Sequence, residues 1–478
     1  MFMDAAAWAE SEFRGTPGLN ARFQTRLVHT AMALATRPQG TMPTRFDWAE
    51  LKGAYRLVHA VTVPDTMQQV HRDRTRERVA AVRTPVLFIH DTTHLDFSRH
   101  AAVADQLGPI GDGSACARGF VQHNSLAVDP AGPHLLGLIH QQTILRTPRP
   151  AGESRAAQYR RTDRESAVWT RGIAAVGRPA TGQVWVHVGD RGADFFGAMA
   201  TARAWGTHFL IRLGKNRSVR AAAASDADEP PTAGDGELAG HLLDAARAVM
   251  PTTTATVDVA SRGGRPARTA TVNLGAVRLT IRPPKEDPLW RSEAPLTLTA
   301  IRIWEPVPPA DVEPLEWILG TDLDDVSPAA LRRYQSWYEL RWRTMEEYHK
   351  AQKTGCRIED LRFETIDRLR TAIALVSVVA VRILQLRWCR DADPGAPAAS
   401  VATPDELEAV QAARPGEPIA TVKQFVDRVA GLGGYLGRKC DGPPGWQSLW
   451  RGYQRLADIV LGYHLAQQPL PTRGSNSG

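Results

Sequence analysis

Asp91 and Asp190 each close a short apolar run, Pro85-Val-Leu-Phe-Ile-His-Asp91 and Val184-Trp-Val-His-Val-Gly-Asp190. Such runs predict strands, and in α/β sheets ligands gather beyond the C-terminal strand ends. If the two strands are neighbours, their carboxylates converge. Two like charges held close raise one pKa unless a cation neutralises them. Mg²⁺ suits such a pair because it is hard, takes carboxylate oxygens and keeps its waters, and Mn²⁺ can substitute for it. A third acid comes from residues 328–353, which read as one long helix carrying Glu346, Glu347, His349, Lys350 and Lys353. Taken singly, each has a plainer reading: a strand-end Asp as turn former or helix cap, the Glu-Glu-Tyr-His-Lys run as a solvated helix face. HExxH is absent and no second His lies four residues from His349, which disfavours a zinc hydrolase. Three acids among basic and aromatic neighbours fit metal-assisted phosphodiester displacement, with one metal on the nucleophile and one on the leaving oxygen.

The elements that must position these acids follow a telling order. Strands are expected at 85–91, 122–129 and 135–145, the last two separated by the turn signal Asp129-Pro-Ala-Gly-Pro133. A basic helix at 155–174, a strand at 184–190, a helix at 195–205 and a strand at 208–213 complete the series. A meander followed by crossover units implies a mixed α/β sheet, in the strand order of the ribonuclease-H-like fold. Residues 216–237 read as loop, and a period-two pattern then marks a β-rich insertion at about 215–320, punctuated by the turn at Gly263 to Pro266. A second long helix is expected at 361–387. The Pro-, Ala- and Gly-rich stretch 391–418 reads as a linker, and helices follow at 422–429 and 446–466. The first 68 residues read as a helical unit. Within it, residues 20–35 carry an apolar stripe beside Arg22 and Arg26, and Gly53-Ala-Tyr-Arg56 starts another amphipathic segment. The expected domains are thus 1–68, 69–390 with its insertion, the linker, and 419–478.

Composition narrows the class. The chain has 478 residues, 43% of them apolar, which is ample for several cores and argues against disorder. A net charge of +7 favours a polyanionic partner. Four cysteines, Cys116, Cys356, Cys389 and Cys440, form no CxxC pair, which argues against a disulfide framework and fits a reducing compartment. The longest apolar run, 373–380, falls short of the ~20 residues that span a bilayer, and the start lacks a secretory pattern. The expectation is a cytoplasmic protein with no membrane contact and no small-molecule substrate.

In these motifs the sequence resembles the cut-and-paste DDE transposases of bacterial insertion sequences, specifically the transposon-five-like group that cuts through a DNA hairpin. Trp8-Ala-Glu-Ser-Glu-Phe, Thr25-Arg-Leu-Val and Gly53-Ala-Tyr-Arg56 resemble its N-terminal DNA-binding region. Asp91-Thr-Thr-His-Leu and Asp190-Arg-Gly-Ala-Asp194 resemble its first two catalytic motifs. Tyr338-Glu-Leu-Arg341 with Glu346-Glu-Tyr-His-Lys350-Ala-Gln-Lys353 resembles the third, and Gly433-Gly-Tyr with Trp446 and Leu449-Trp450 the dimerisation region. The resemblance implies a ribonuclease-H-like core, a Mg²⁺-binding triad of Asp91, Asp190 and Glu346, and a homodimer on two transposon ends and target DNA in the bacterial nucleoid. It implies DNA contacts from Arg22, Arg26, Arg56, Arg212, Tyr338, Arg341, Lys350 and Lys353. Trp317, 21 residues before Tyr338, would stack on the flipped-out base of the hairpin. The other possibilities are a catalytically silent DNA-binding derivative and a basic structural protein.

Two departures stand out. Gly192 occupies a position where an acid is frequent. Four residues rather than three separate Arg341 from Glu346. One extra residue turns a regular helix by about 100°, so the spacing predicts a π-type turn around 342–345 that restores the register. The competing possibility is a straight helix in which Arg343 replaces Arg341.

Overall fold

The computed structural model of the chain describes residues 4–37, 42–61, 63–83, 85–111, 117–132, 134–147, 150, 152–161, 164, 166–221, 238–259, 267–438 and 441–467. Cys116, Cys440, the Gly263–Pro266 turn and most of the 216–237 loop lie outside the described residues.

The central meander is built from β1 (Val86–Asp96), β2 (Gly108–Pro109), β3 (Arg118–Asp129) and β4 (His134–Ile144). Next come β5 (Trp185–Gly189) and β6 (His208–Arg212), then β7 (Ser218–Ala221), β8 (Leu238–His241), β9 (Thr253–Val259), β10 (Arg268–Ile281), β11 (Leu296–Trp304) and β12 (Glu316–Thr321). All twelve join one sheet in the order β2-β3-β1-β5-β6-β12-β11-β10-β7-β8, with β4 on β3 and β9 on β10. β1 runs antiparallel to β3 and parallel to β5, β5 parallel to β6, and β12 antiparallel to β6. The β-rich insertion therefore continues the central sheet, because β12 covers the edge that β6 would otherwise leave unpaired.

Several expectations need correction. β1 does not end at Asp91. Its pairing with β5 stops at Ile89↔Val188, but its pairing with β3 continues to Asp96↔Gly119. The apolar run ends where one neighbour is lost, and the strand itself goes on. The expected helix at 155–174 is two helices, Arg155–Arg160 and Ala167–Val176. The stretch read as a linker contains the helix Pro404–Ala413, started by a Thr403/Glu406 capping box, and buries Ala398, Val401 and Val410. Its Pro404 sits in the first helical turn, where a missing N–H costs nothing. An Arg-rich helix, Gln69–Ala81, had no counterpart in the sequence reading.

The helix Ile366–Ala392, capped by Thr365, is the spine of the molecule. It is long and apolar enough to cross a membrane, but 89% of its most apolar window is buried inside the protein. One cluster joins it to Trp8, Phe13 and Leu27 of the N-terminal helices and to Leu87 and Ile89 of β1. The N-terminal helices therefore have no separate core.

Candidate active site

Three segments converge on one cleft of about 440 Å³, which Asp91, Asp190, Arg341, Glu346, His349 and Lys353 line together with Thr92, Thr93, Trp342, Lys350 and Thr354. Because Ile89 pairs with Val188, Asp91 and Asp190 lie two residues beyond the same rung of neighbouring parallel strands. The expected convergence of the two acids is present.

The third segment begins as the helix Pro328–Arg341, capped by Ser327 with Pro328 at its first position. A π turn, Trp342–Glu346, follows directly, then a short α segment, Glu347–Lys350, and a second π turn, Ala351–Gly355. The first π turn absorbs the extra residue where the spacing predicted it. Its Thr344 and Met345 are fully buried, while Arg341 and Glu346 both reach the cleft. Arg343 is exposed and sits electrostatically with Glu339 and Glu347, away from the cleft lining, so the straight-helix alternative is set aside. The second π turn has no counterpart in the sequence reading. Its Cys356 N–H reaches Ala351 O at 2.6 Å.

Asp91 is strongly perturbed. Burial pushes its carboxyl up to about 6; Arg341 opposes the shift, and Asp190 and Glu346 add to it. Arg341 Nη1 donates to Asp91 Oδ2 at 2.9 Å, and Thr92 N–H donates to Oδ1 at 2.8 Å. Asp190 Oδ1 accepts from Gly192 N–H at 2.7 Å, and Lys350 Nζ lies 3.4 Å from Glu346 Oε2. Among the described residues no three His, Cys, Asp or Glu side chains are drawn as close as a shared metal ion requires. The donor set still fits a hard divalent cation: three carboxylates on one cleft, each with lone pairs to spare. Gly192 is explained by space, since a Cβ there would lie 2.9 Å from both Asp190 Oδ1 and the Trp169 ring. Asp194 is buried and structural, accepting from the N–H groups of Gly214 and Lys215 at 2.7 and 2.8 Å.

Beside the acids lies a group of donors. Tyr338 Oη is buried within reach of the Arg341 and Arg212 guanidinium groups, and Arg341 Nε is buried beside it. Arg212, half-buried at the end of β6, is pushed down by burial, opposed by its interaction with Tyr338, and pushed further down by the Arg191 and Arg341 charges. Trp317, half-buried on β12, meets the Tyr338 ring at 6.0 Å. Lys353 lies 3.5 Å from Glu359. At the N-terminal end, Arg26 on helix Ala21–Thr36 lies near Arg22 of the same helix and Arg56 of helix Trp48–Ala60. Burial and then these two like charges push Arg26 down, and none of the three makes an ion pair with a described residue. Arg161, Arg164 and Arg171 of the basic segment are engaged with Glu153, Asp287 and Gln142.

Sequence reasoning missed Thr92, Thr93, Trp342 and Thr354 as cleft residues. The first two flank Asp91 on a strand that was read as already ended.

Comparison with known proteins bears on the two ends of the chain. Residues 5–63 match the transposase DNA-binding family, and residues 378–470 match the Tn5 transposase dimerisation domain. Both ends therefore resemble those of transposases, the C-terminal one that of Tn5 transposase. The DNA-binding match spans the Arg22, Arg26 and Arg56 cluster, and the dimerisation match spans the capped helix Pro404–Ala413 and the helix Trp446–Gln467. The cleft lies between the two matched segments. A cryo-EM structure of a piggyBac transposase synaptic complex with hairpin DNA aligns at TM-score 0.33 and 8% identity, over 98% of this chain and 79% of that one, too slight a likeness to bear on the fold.

Proposed function

We propose that this Tn5-like chain is a DDE transposase with a ribonuclease-H-like core, cutting transposon ends through a DNA hairpin. The observation that carries this reading is the meeting of Asp91, Asp190 and Glu346 on one cleft beside the phosphate-type donors Arg341, Tyr338 and Arg212. The strand path β4-β3-β1-β5-β6, a meander followed by two parallel strands, supports the proposed core.

Mg²⁺ held by the three carboxylates would lower the pKa of water and draw off charge from the leaving oxygen. To hold it, Asp91 would give up its ion pair with Arg341. Arg341, freed, turns with Tyr338 Oη and Arg212 to the terminal phosphate of the non-transferred strand, where charge-assisted hydrogen bonds are strongest. Lys350 and Lys353 add positive charge at the same mouth. Water attacks one strand, the freed 3′ hydroxyl attacks the opposite strand to close a hairpin, hydrolysis reopens it, and the 3′ ends join target DNA. Trp317 supplies the platform for the base extruded at the hairpin. Arg22, Arg26 and Arg56 hold the end's phosphates in a salt-dependent way. Leu461, Tyr463 and Leu465, exposed on the last helix, suit the self-association that pairing two ends requires.

The test is a duplex bearing the inverted repeat that flanks the gene, labelled at its ends and incubated with the full-length protein and Mg²⁺. Nicking at the repeat end followed by a hairpin supports the proposal. A retarded but intact duplex would mark a silent DNA-binding derivative.

A further inference from the structure

His349 lines the cleft beside Glu346 and Lys353, yet no step above uses it. Its Nε2 is 3.1 Å from Asn124 Nδ2, on the strand residue directly opposite Asp91. Asn124 belongs to a buried file of amides whose orientation is dictated from its far end. Arg72, which can only donate, reaches Gln68 Oε1 at 2.8 Å. The Ala374 carbonyl, which can only accept, takes Gln68 Nε2 at 3.0 Å. Gln68 is therefore fixed in one orientation, and the same Nε2 donates to Gln141 Oε1 at 2.8 Å. Gln141 then has only its nitrogen left for Asn124 Oδ1, at 2.8 Å. Asn124 in turn has only its nitrogen left for His349. Gln68, Gln141 and Asn124 are almost wholly buried, so water cannot scramble the sequence.

Every link donates toward the cleft, and His349 Nε2 must accept. A neutral imidazole carries one proton, so that proton sits on Nδ1. We propose that His349 is a further catalytic residue, whose Nδ1–H donates to a phosphate oxygen of the DNA strand seated in the cleft. The Arg72–Gln68–Gln141–Asn124 file holds it in that tautomer and is a positioning device. Burial, with the Lys353 and Arg341 charges, pushes the ring's protonation down to about 3, so it serves as a neutral donor throughout the working range. The inference rests on the transposase reading of this cleft.

The experiment uses the full-length protein, the flanking-repeat duplex and Mg²⁺, read as single-turnover first-strand cleavage alongside end binding by gel shift. His349→Phe keeps the ring volume and loses the donor. It should slow cleavage roughly tenfold to hundredfold with end binding unchanged. His349→Asn, which offers an N–H near the Nδ1 position, should recover more rate than His349→Gln, which offers one near Nε2. In long-range ¹H–¹⁵N spectra of the histidine-labelled wild type, the signal lost in His349→Phe should show protonated Nδ1 and bare Nε2. A protonated Nε2, or a His349→Phe variant that cuts like wild type, overturns the inference and leaves the transposase reading standing. A wild type that binds ends and never cuts them overturns both.

Discussion

Two largely buried carboxylates, Glu12 and Asp91, are treated by the fold in opposite ways. Glu12, on the first helix, has one oxygen 2.6 Å from His71 Nδ1 and the other 2.7 Å from Arg78. His71 Nε2 accepts the Leu138 N–H of β4, at 3.0 Å, where the β3–β4 register shifts. Burial pushes Glu12 up, but His71 and Arg78 outweigh it and hold the carboxyl at about 2. Burial pushes Asp91 up as well, but one arginine set against two further acids does not offset it, and its carboxyl rises to about 6. The first carboxylate is satisfied and docks the N-terminal helix onto the sheet. The second is left with its burial uncompensated, which a divalent cation would relieve. Burial of an acid does not mark a site; an uncompensated balance around it does.

That contrast sets the order of expected effects. Asp91→Ala, Asp190→Ala and Glu346→Ala should each reduce Mg²⁺-dependent nicking to background while end binding persists, because each removes a carboxylate donor and no phosphate contact. Near wild-type nicking by any one of them removes that residue from the triad. Glu12→Gln should instead cost about 1–3 kcal/mol of stability in denaturant unfolding, since it leaves the buried His71 and half-buried Arg78 mismatched. The folded fraction should still cut. The pH signatures differ as well. Glu12 has its carboxyl lowered from 4.5 to about 2, so its stabilisation is complete above pH 4.5 and fades as pH falls toward 2. Glu12→Gln should flatten the stability profile in that window. Asp91 is raised from 3.8 to about 6, so below pH 6 its proton competes with the cation and Mn²⁺ affinity should fall.

Smaller effects test the neighbours of Asp91. Arg341→Ala should weaken binding of the cleaved end roughly tenfold or more, and Arg343→Ala should not, because only Arg341 reaches the cleft. Equal losses would return the register question to the straight-helix alternative. Trp317→Ala should spare first-strand nicking and impair hairpin formation by about 1–3 kcal/mol. Global unfolding on that change would make Trp317 a core residue only.

Much of this was legible in the sequence for physical reasons. The apolar runs before Asp91 and Asp190 announce buried parallel strands, and counting residues between Arg341 and Glu346 locates a π turn, because helical phase is arithmetic. The continuation of β1 past Asp91 was hidden, since pairing with β3 alone leaves a half-exposed, polar strand without an apolar signature. The capped helix at Pro404–Ala413 was masked by the Pro and Gly around it. The amide file was invisible as well: Gln68, Asn124 and Gln141 come from separate elements, and nothing in their local sequence says they meet.

The central claim is that the cleft acids hold divalent metal for DNA cutting. Mn²⁺ taken up by the full-length protein bound to its end duplex can be counted by electron paramagnetic resonance. The account predicts about two tightly held ions per protomer, lost in an Asp91→Ala/Asp190→Ala variant that still binds the duplex. Equal Mn²⁺ uptake by that variant and the wild type would contradict it.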